Sequence, residues 1–294
     1  MLSILIPTYN YNTYPLVLEL KGQADLLSID YEILVQDDFS SLFIEENSRI
    51  NELENCSFEI NKENLGRSKI RNFLANKAKF DWLLFLDADT FPLHSNFISS
   101  YLIHLKNEEK VIYGGITYCK EMPLDNKTLR WFYGKKREAI DYKTRNLRPY
   151  ISFLTLNFLI PKTFFKILSF NETIPNLRHE DTLFSYEMFK RKIPVLHINN
   201  PVEHLGLDTN SVFLDKTKES VIALENLIQN NLIDLNYIRL SSIFYKLKKY
   251  KLLFFIKFIF STFIESIELN LSSNKPKLFV YDIYRLGIYC TIKN

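Results

Sequence analysis

Asp87 and Asp89 stand directly after an apolar run, residues 82–86, and Pro92 ends any regular structure soon afterwards. An apolar run of this length is typical of a strand that is buried on both faces. Ligands of a parallel sheet bind beyond the carboxyl ends of its strands. Two carboxylates placed there are hard oxygen ligands for Mg²⁺ or Mn²⁺ shared with a diphosphate. The alternative is that two Asp residues only begin a turn.

Glu180 and Asp181 form a second acidic pair, which precedes a stretch with apolar residues at helical spacing. An Asp in this place can be a helix N-cap, whose side chain accepts a backbone N–H. His197 lies inside an apolar strand and is expected to be structural. His204 lies a few residues further on, and a lone histidine is often only a packed polar residue.

The elements that must position these side chains alternate between strand and helix in the first half of the chain. Residues 2–7, 31–35 and 58–60 are predicted strands, and helices are predicted from residue 14 and after the turn at 64–68. This alternation predicts an α/β fold with a mainly parallel central sheet flanked by helices. The sequence has neither G-x-G-x-x-G nor G-x-x-x-x-G-K. Phosphates would therefore be held by metal and side chains.

The middle of the chain is less regular. Residues 111–116 and 151–160 are predicted strands, residues 194–198 an edge strand, and residues 219–233 a helix. The paired glycines Gly114 and Gly115 indicate a close approach of backbone. Residues 120–149, which include Arg145, are polar and basic without clear periodicity, so we expect a mobile insertion or, preferably, a solvated loop.

The 294 residues fit one large α/β domain, or one domain plus an appendage, and the net charge of +3 hides an asymmetry. Residues 237–294 hold ten Lys or Arg and three Asp or Glu, together with Phe and Leu runs. They predict an extension of helices that either touches an anionic membrane or packs on the catalytic domain. Three scattered cysteines indicate a reducing compartment. We expect neither a signal peptide nor a membrane-crossing helix.

Four segments in this order resemble family 2 glycosyltransferases with the GT-A fold. They are SILIPTYN at 3–10, EILVQDD at 32–38, NLGRSKIRN at 64–72 and LDAD at 86–89. The resemblance covers roughly residues 1–230. It implies a GT-A domain over 1–236, with a nucleotide-binding half to about 110 and an acceptor half from about 111, followed by the helical extension 237–294. One departure is Phe39-Ser40, where the family usually shows Gly-Ser.

The resemblance also implies roles on the donor side. Pro7, Thr8 and Tyr9 would line the nucleoside pocket, and Asp37 or Asp38 would accept the uracil N–H. Gly66 would let the backbone pass close to the nucleotide.

Arg71 would contact the base or diphosphate; a surface salt bridge is its alternative. Asp87 would face the ribose or the metal, and Asp89 would bind the metal directly. His204 would complete the site for Mn²⁺ or Mg²⁺, with imidazole better suited to Mn²⁺.

On the acceptor side, the resemblance implies that Asp181 is the general base that takes a proton from a sugar hydroxyl, with Glu180 positioning the acceptor. The expected function is inverting, metal-dependent transfer from a nucleotide-sugar, a UDP-sugar in particular, to a saccharide or lipid-linked saccharide in polysaccharide or glycolipid synthesis. No nucleic-acid partner is expected. The expected location is cytoplasmic, with peripheral contact to the inner face of the membrane. A glycosidase with paired carboxylates and a degenerate binding domain are the alternatives.

Overall fold

A computed structural model of the chain describes residues 1–105, 109–124, 126–173 and 178–292. Contacts divide the chain into two compact units. The first is built from Met1–Tyr118, Glu138–Asn176 and Glu180–Gly206, and the second from Cys119–Arg137, Leu177–His179 and Leu207–Asn294. The domain boundary between residues 236 and 237 stays a prediction.

All strands found among the described residues belong to the first unit. They are β1 (Leu2–Thr8), β2 (Tyr31–Asp37), β3 (Cys56–Ile60), β4 (Trp82–Leu86), β5 (Thr90–Pro92), β6 (Val111–Tyr113), β7 (Ile116–Thr117), β8 (Asn157–Pro161), β9 (Val195–His197) and β10 (Val202–His204). The larger sheet has the order β3-β2-β1-β4-β8-β6-β9 and the smaller one β5-β10-β7. In the larger sheet β8 alone runs antiparallel to its neighbours, which confirms a mainly parallel sheet.

Helices of the first unit cover both faces of the larger sheet. They are α1 (Tyr14–Asp25), α2 (Ile44–Ser48) with a 3₁₀ turn at Arg49–Glu52, α3 (Arg67–Lys77) and α4 (Phe97–Leu102). Alternate residues of β1 divide between the two cores: Ile4 packs with α1 and α4, and Leu5 packs with α3. This division of successive side chains is the expected result of strand geometry and explains the uninterrupted apolar run of a doubly covered strand.

Within residues 120–149, the stretches 128–138 and 142–146 are helical, so a solvated loop is wrong for them. α5 (Thr128–Tyr133) continues through a π-helical turn at Gly134–Glu138, and α6 (Tyr142–Asn146) follows. The Asp141 side chain caps α6 by accepting from the backbone N–H groups of Lys143 and Thr144. Arg145, on α6, is buried.

Two predicted strands have different bounds in the structure. The segment 111–116 is split into β6 and β7 by Gly114 and Gly115. A Cβ on Gly114 would lie 2.4 Å from the Asn200 carbonyl oxygen, which confirms the close approach of backbone. The predicted strand 151–160 begins only at Asn157, because residues 151 and 152 form a turn in which Ser152 N donates to Arg148 O.

The helices that complete the chain are α7 (Lys162–Leu168), α8 (Glu180–Lys190), α9 (Asn210–Gln229), α10 (Arg239–Lys249), α11 (Leu253–Leu271) and α12 (Leu278–Ile292). α7 and α8 belong to the first unit, and α9–α12 to the second, which confirms helices at the C-terminal end. α9 begins earlier than the predicted 219–233, since the Thr209 side chain caps it. The second unit has its own core, which includes Leu129, Phe244 and Tyr289. None of the described helices is both long and apolar enough to cross a bilayer.

Candidate active site

The predicted donor-side residues meet at one edge of the larger sheet. β1 pairs in parallel with β2 on one side and with β4 on the other, in a register that places Thr8 opposite Asp37. The carboxyl ends of these three strands therefore lie side by side, and Asp87 follows the last of them. This edge is where ligands bind in open parallel sheets.

Tyr9 and Tyr11 follow β1 at this edge. Tyr9 is 56% exposed, so its ring is available to a ligand, whereas Thr8 is buried and accepts a hydrogen bond from Thr13 Oγ1 at 2.9 Å. Burial raises the pKa of Tyr11, and the negative charge of Asp89 raises it further. Asp89 therefore interacts electrostatically with Tyr11 in the loop after β1, although the two residues are far apart in sequence.

Asp37 and Asp38 hold the loops around this edge in place. Asp37 accepts from the backbone N–H and the hydroxyl of Ser40, at 2.7 and 2.6 Å. Asp38 accepts from the backbone N–H groups of Leu65 and Gly66, at 2.7 and 2.9 Å. Both carboxylates are buried and hydrogen-bonded within the protein, so each at least fixes the loop that follows its neighbouring strand.

Two backbone positions around these carboxylates have positive φ. Gly66, just before α3, has a φ of 82°, which suits glycine, and its N–H faces Asp38. Phe39 has a φ of 69° although it is not glycine. This is the position at which family 2 glycosyltransferases usually carry glycine, so the departure keeps the turn and adds a ring that is 58% exposed.

Arg71 and Asp87 form the shortest ion pair of the site, with 2.6 Å between Arg71 Nη2 and Asp87 Oδ1. Arg71 is 4% exposed and its guanidinium lies over the Phe170 ring, with 5.5 Å to the centroid. The alternative of a surface salt bridge is therefore wrong. Nε of Arg71 is buried without a hydrogen-bond partner.

Arg67 lies one helical turn before Arg71 on α3 and binds the other acidic pair. Its Nη1 donates to Glu180 Oε1 at 3.2 Å, and Glu180 is the first residue of α8. Asp181 is thus the second residue of that helix, so the N-cap alternative is wrong. The two arginines of α3 connect the end of β4 to the start of α8. The sequence predicted no role for Arg67, because its partner is 113 residues away.

The two carboxyl groups at the start of α8 have opposite pKa shifts. Burial raises the pKa of Asp181 to about 6, and the neighbouring charge of Glu180 contributes to this increase. Burial also acts on Glu180, but Arg67 and Arg71 outweigh it and lower its pKa. Two carboxyl groups whose pKa values move apart are typical of acid–base sites.

The position of α8 is fixed by aromatic packing beneath it. The Phe184 ring stacks on Phe170 with 4.5 Å between centroids, and Phe85 of β4 packs edge-on against Phe170 at 6.4 Å. Asn72 of α3 donates to the backbone carbonyl of Phe170 and accepts from its N–H, both at 2.8 Å. The three elements that carry Arg71, Asp87 and Asp181 therefore share one packed support.

Asp89 faces His204 across the smaller sheet. Asp89 Oδ2 lies 3.5 Å from His204 Nε2, and the backbone N–H of Leu205 donates to Asp89 O at 2.8 Å. A Cβ on Gly206 would lie 2.1 Å from Asp89 Oδ2, so only glycine leaves the carboxylate in this position. Nδ1 of His204 is buried without a hydrogen-bond partner.

Asp89 and His204 fit a divalent ion that takes two ligands from the protein and the others from substrate and water. A carboxylate and an imidazole face each other, and imidazole suits Mn²⁺. The described residues contain no group of three or more His, Cys, Asp or Glu side chains that could hold a metal by themselves. Mg²⁺-type sites bind through one or two carboxylates plus substrate phosphates, so two side chains are sufficient. Asp87, by contrast, is paired with Arg71.

Asn157 is a buried residue of the site that the sequence did not reveal. It is the first residue of β8 and lies opposite Leu86, the residue before Asp87. Its Nδ2 donates to Gly115 O at 2.9 Å and Asn200 O at 3.0 Å, and its Oδ1 accepts from Tyr101 Oη at 2.6 Å. These bonds join the end of β8 to the segments that lead into β7 and β10, and β10 ends with His204.

Arg145 and His197 hydrogen-bond to backbone carbonyls in and around these segments. Arg145 Nη2 donates to the carbonyls of Gly114 and Ile198, at 3.2 and 2.8 Å. His197 Nε2 lies 2.8 Å from Pro149 O, and burial lowers the pKa of His197 to about 4. A histidine buried in neutral form agrees with the structural role expected of it.

The sheet order, the helices on both faces and the charged edge define the class of GT-A fold transferases. The profile described as "Glycosyl transferase family 2" matches residues 3–165, more than half of the chain. The protein belongs to glycosyl transferase family 2. The family membership does not support the glycosidase alternative.

Three known proteins illustrate these similarities. An uncharacterized glycosyltransferase of Haemophilus influenzae is 25% identical over 227 residues, which are 75% of this chain and 85% of that protein. A second one from the same organism is 36% identical over 94 residues, 30% of this chain and 29% of that protein. The mannosyltransferase PcManGT of Pyrobaculum calidifontis, solved with GDP-Man and Mn²⁺, superimposes with a TM-score of 0.55 and 13% identity over 78% of this chain and 64% of that one. At that identity the likeness shows the fold alone.

Proposed function

We propose that the protein transfers a sugar from a UDP-sugar to a hydroxyl group, with inversion at the anomeric carbon and with a divalent metal ion. One observation carries the proposal: α3 places Arg71 on Asp87 and Arg67 on Glu180, so the donor edge and the acidic pair of α8 form one charged site. A transferase needs both parts, since it must hold a diphosphate and deprotonate an acceptor.

The donor diphosphate would lie at the edge formed by the ends of β1, β2 and β4. Asp89 and His204 would hold Mn²⁺ or Mg²⁺, which acts as a Lewis acid on the diphosphate leaving group. Arg71, which lies beside Asp87, would make a second contact with donor oxygens. Tyr9, with its exposed ring, and the two loops fixed by Asp37 and Asp38 would enclose the nucleoside.

Asp181 would be the general base. Its pKa of about 6 lies close to neutral pH, where a carboxylate is ionised yet basic enough to accept a proton. The acceptor oxygen forms a bond to the anomeric carbon as the bond from that carbon to the diphosphate breaks, and the acceptor proton passes to Asp181. Attack and departure on opposite faces invert the configuration. Glu180, held ionised by Arg67, would position the acceptor.

The donor class is tested by a panel of nucleotide sugars incubated with the protein and Mn²⁺, with release of nucleotide as the readout. We expect turnover of UDP-sugars that is abolished by a chelator and lowered by about 10²-fold or more by Asp181→Asn. The Pyrobaculum calidifontis mannosyltransferase was solved with GDP-Man. Nucleotide release from GDP-mannose instead of UDP-sugars would leave the metal and base assignments intact but contradict the assignment of a UDP-sugar as donor. No release from any donor, together with nucleotide binding, would favour the degenerate binding domain.

The biological setting stays a prediction. A saccharide or lipid-linked saccharide acceptor, a role in polysaccharide or glycolipid synthesis, and a cytoplasmic location beside the membrane are expected from the family resemblance. A screen of acceptors with the donor found above tests them, with transfer product detected by mass spectrometry.

A further inference from the structure

The N-terminal half of α11 presents large apolar side chains, most of them aromatic, to solvent. We call them the Phe surface, which comprises Phe254, Phe255, Phe258, Ile259 and Phe263, exposed by 73%, 60%, 62%, 47% and 53%. Phe260 and Ile267 of the same helix are buried and pack into the core of the second unit. Adjacent exposed apolar side chains of this size mark an interaction site.

The basic residues next to the Phe surface are exposed as well. Lys246, Lys248 and Lys249 end α10, and Lys251 follows in the turn. Lys251 has a φ of 57°, and Leu252 N donates to Leu247 O at 2.9 Å, the bond of a Schellman helix end. This turn joins the basic end of α10 to the aromatic start of α11.

The charge of this region is of one sign. Residues 235–264 contain six Lys or Arg and no Asp or Glu. Two copies of the surface would repel each other, so a second copy of this chain is a poor occupant. The partner must therefore offer both apolar groups and negative charge. An anionic lipid bilayer does so, because Phe side chains can enter its acyl boundary while Lys side chains meet its headgroups.

We propose that the Phe surface and Lys246, Lys248, Lys249 and Lys251 dock the protein on an anionic lipid bilayer. The binding is peripheral: aromatic rings enter the interface, and ammonium groups stay at the level of the headgroups. It does not depend on the proposed donor, metal or base, so it can fail or succeed independently of them.

Flotation with vesicles tests the proposal. The probes are phosphatidylcholine vesicles with and without phosphatidylglycerol, at low and high salt. We expect binding to the anionic vesicles alone, and weakening as salt rises, because Lys–headgroup attraction is screened. Binding to neutral vesicles with equal affinity, or none to anionic vesicles at low salt, overturns it.

Two variants separate the contributions of the two groups. Phe254→Ser, Phe255→Ser and Phe258→Ser together should abolish flotation, and replacing the four lysines by Gln should weaken it by about a hundredfold or more, since each lysine near the headgroups contributes about fivefold. Matched controls change exposed residues elsewhere: Leu269→Ser with Phe279→Ser, and Gln at Lys62, Lys120, Lys166 and Lys192. Controls that lose as much binding as the test variants overturn the proposal.

Folding and self-association are checked on the same samples. Circular dichroism melting of the variants should match the parent, since the changed side chains are exposed. If the triple Phe variant does not fold, Phe255→Asp and the lysine variant carry the test. Light scattering that finds a parent dimer dispersed by the Phe changes, without vesicle binding, would identify a second copy as the occupant and overturn the bilayer.

Discussion

Arg71 Nη2 lies 2.6 Å from Asp87 Oδ1, and this partly buried contact joins helix α3 to the end of strand β4. One turn earlier on the same helix, Arg67 binds Glu180 of α8. Arginines of one helix thus bind Asp87 at the donor edge and Glu180, the neighbour of the proposed base Asp181.

The Arg71–Asp87 pair should behave as a unit in unfolding. Arg71→Met and Asp87→Asn each leave a partner without its charge complement, so each should lower the free energy of unfolding. The double variant should be more stable than the sum of the two changes implies, with a coupling of about 1–3 kcal/mol. Urea unfolding of the four proteins measures it, and additive effects would show that the pair contributes no specific interaction.

Asp181→Asn should lower turnover by about 10²-fold or more while UDP binding stays unchanged, because an amide cannot accept the acceptor proton. Steady-state kinetics at saturating donor and UDP titration measure the two effects. Glu187→Gln removes a carboxylate from the other end of α8 and is the matched control, with turnover near that of the parent. Unchanged turnover of Asp181→Asn would assign the base to another group.

The pH profile of turnover should have an acidic limb near pH 6, since Asp181 must be ionised to accept a proton and its pKa is about 6. Turnover therefore falls as pH falls through that value. Glu180→Gln removes a charge that raises this pKa, so the limb should move to lower pH. Arg67→Met removes a charge that lowers it, so the limb should move to higher pH. Shifts in the same direction for both variants would contradict the assignment.

Gly206→Ala should impair metal-dependent nucleotide binding without unfolding the protein. The added Cβ would meet Asp89 Oδ2 at 2.1 Å, so the carboxylate must move away from its place opposite His204. Gly22→Ala, where a Cβ has no heavy atom within 4 Å, is the control and should leave binding unchanged. Isothermal titration with UDP and Mn²⁺ compares them; equal affinities would mean that the position of Asp89 is unimportant.

The first half of the fold could be predicted from the sequence because its strands are apolar runs with polar ends. Residues 120–149 could not, since their helices depend on distant partners: Leu129 N donates to Asn210 Oδ1 at 2.8 Å, and Thr128 Oγ1 donates to Ser273 O at 2.9 Å. Such bonds leave no periodic signal in a short window.

Some residues of the candidate site could be predicted from the sequence, and others could not. Acidic residues at strand ends were visible in sequence, and so was Arg71 within the segment 64–72. The pairing of Arg67 with Glu180 and the bonds of Asn157 were not, because each joins residues brought together only by the sheet. Burial, which raises the pKa of Asp181, also depends on packing that the sequence does not state.

The most direct test of the account is calorimetric titration of UDP into the parent protein and Asp89→Ala, each with Mn²⁺ and with a chelator. If Asp89 holds the metal that binds the diphosphate, the parent should bind UDP far more tightly with Mn²⁺ than without it. Asp89→Ala should bind weakly in both conditions while melting as the parent does. Equal UDP affinity of parent and variant in the presence of Mn²⁺ would contradict the account.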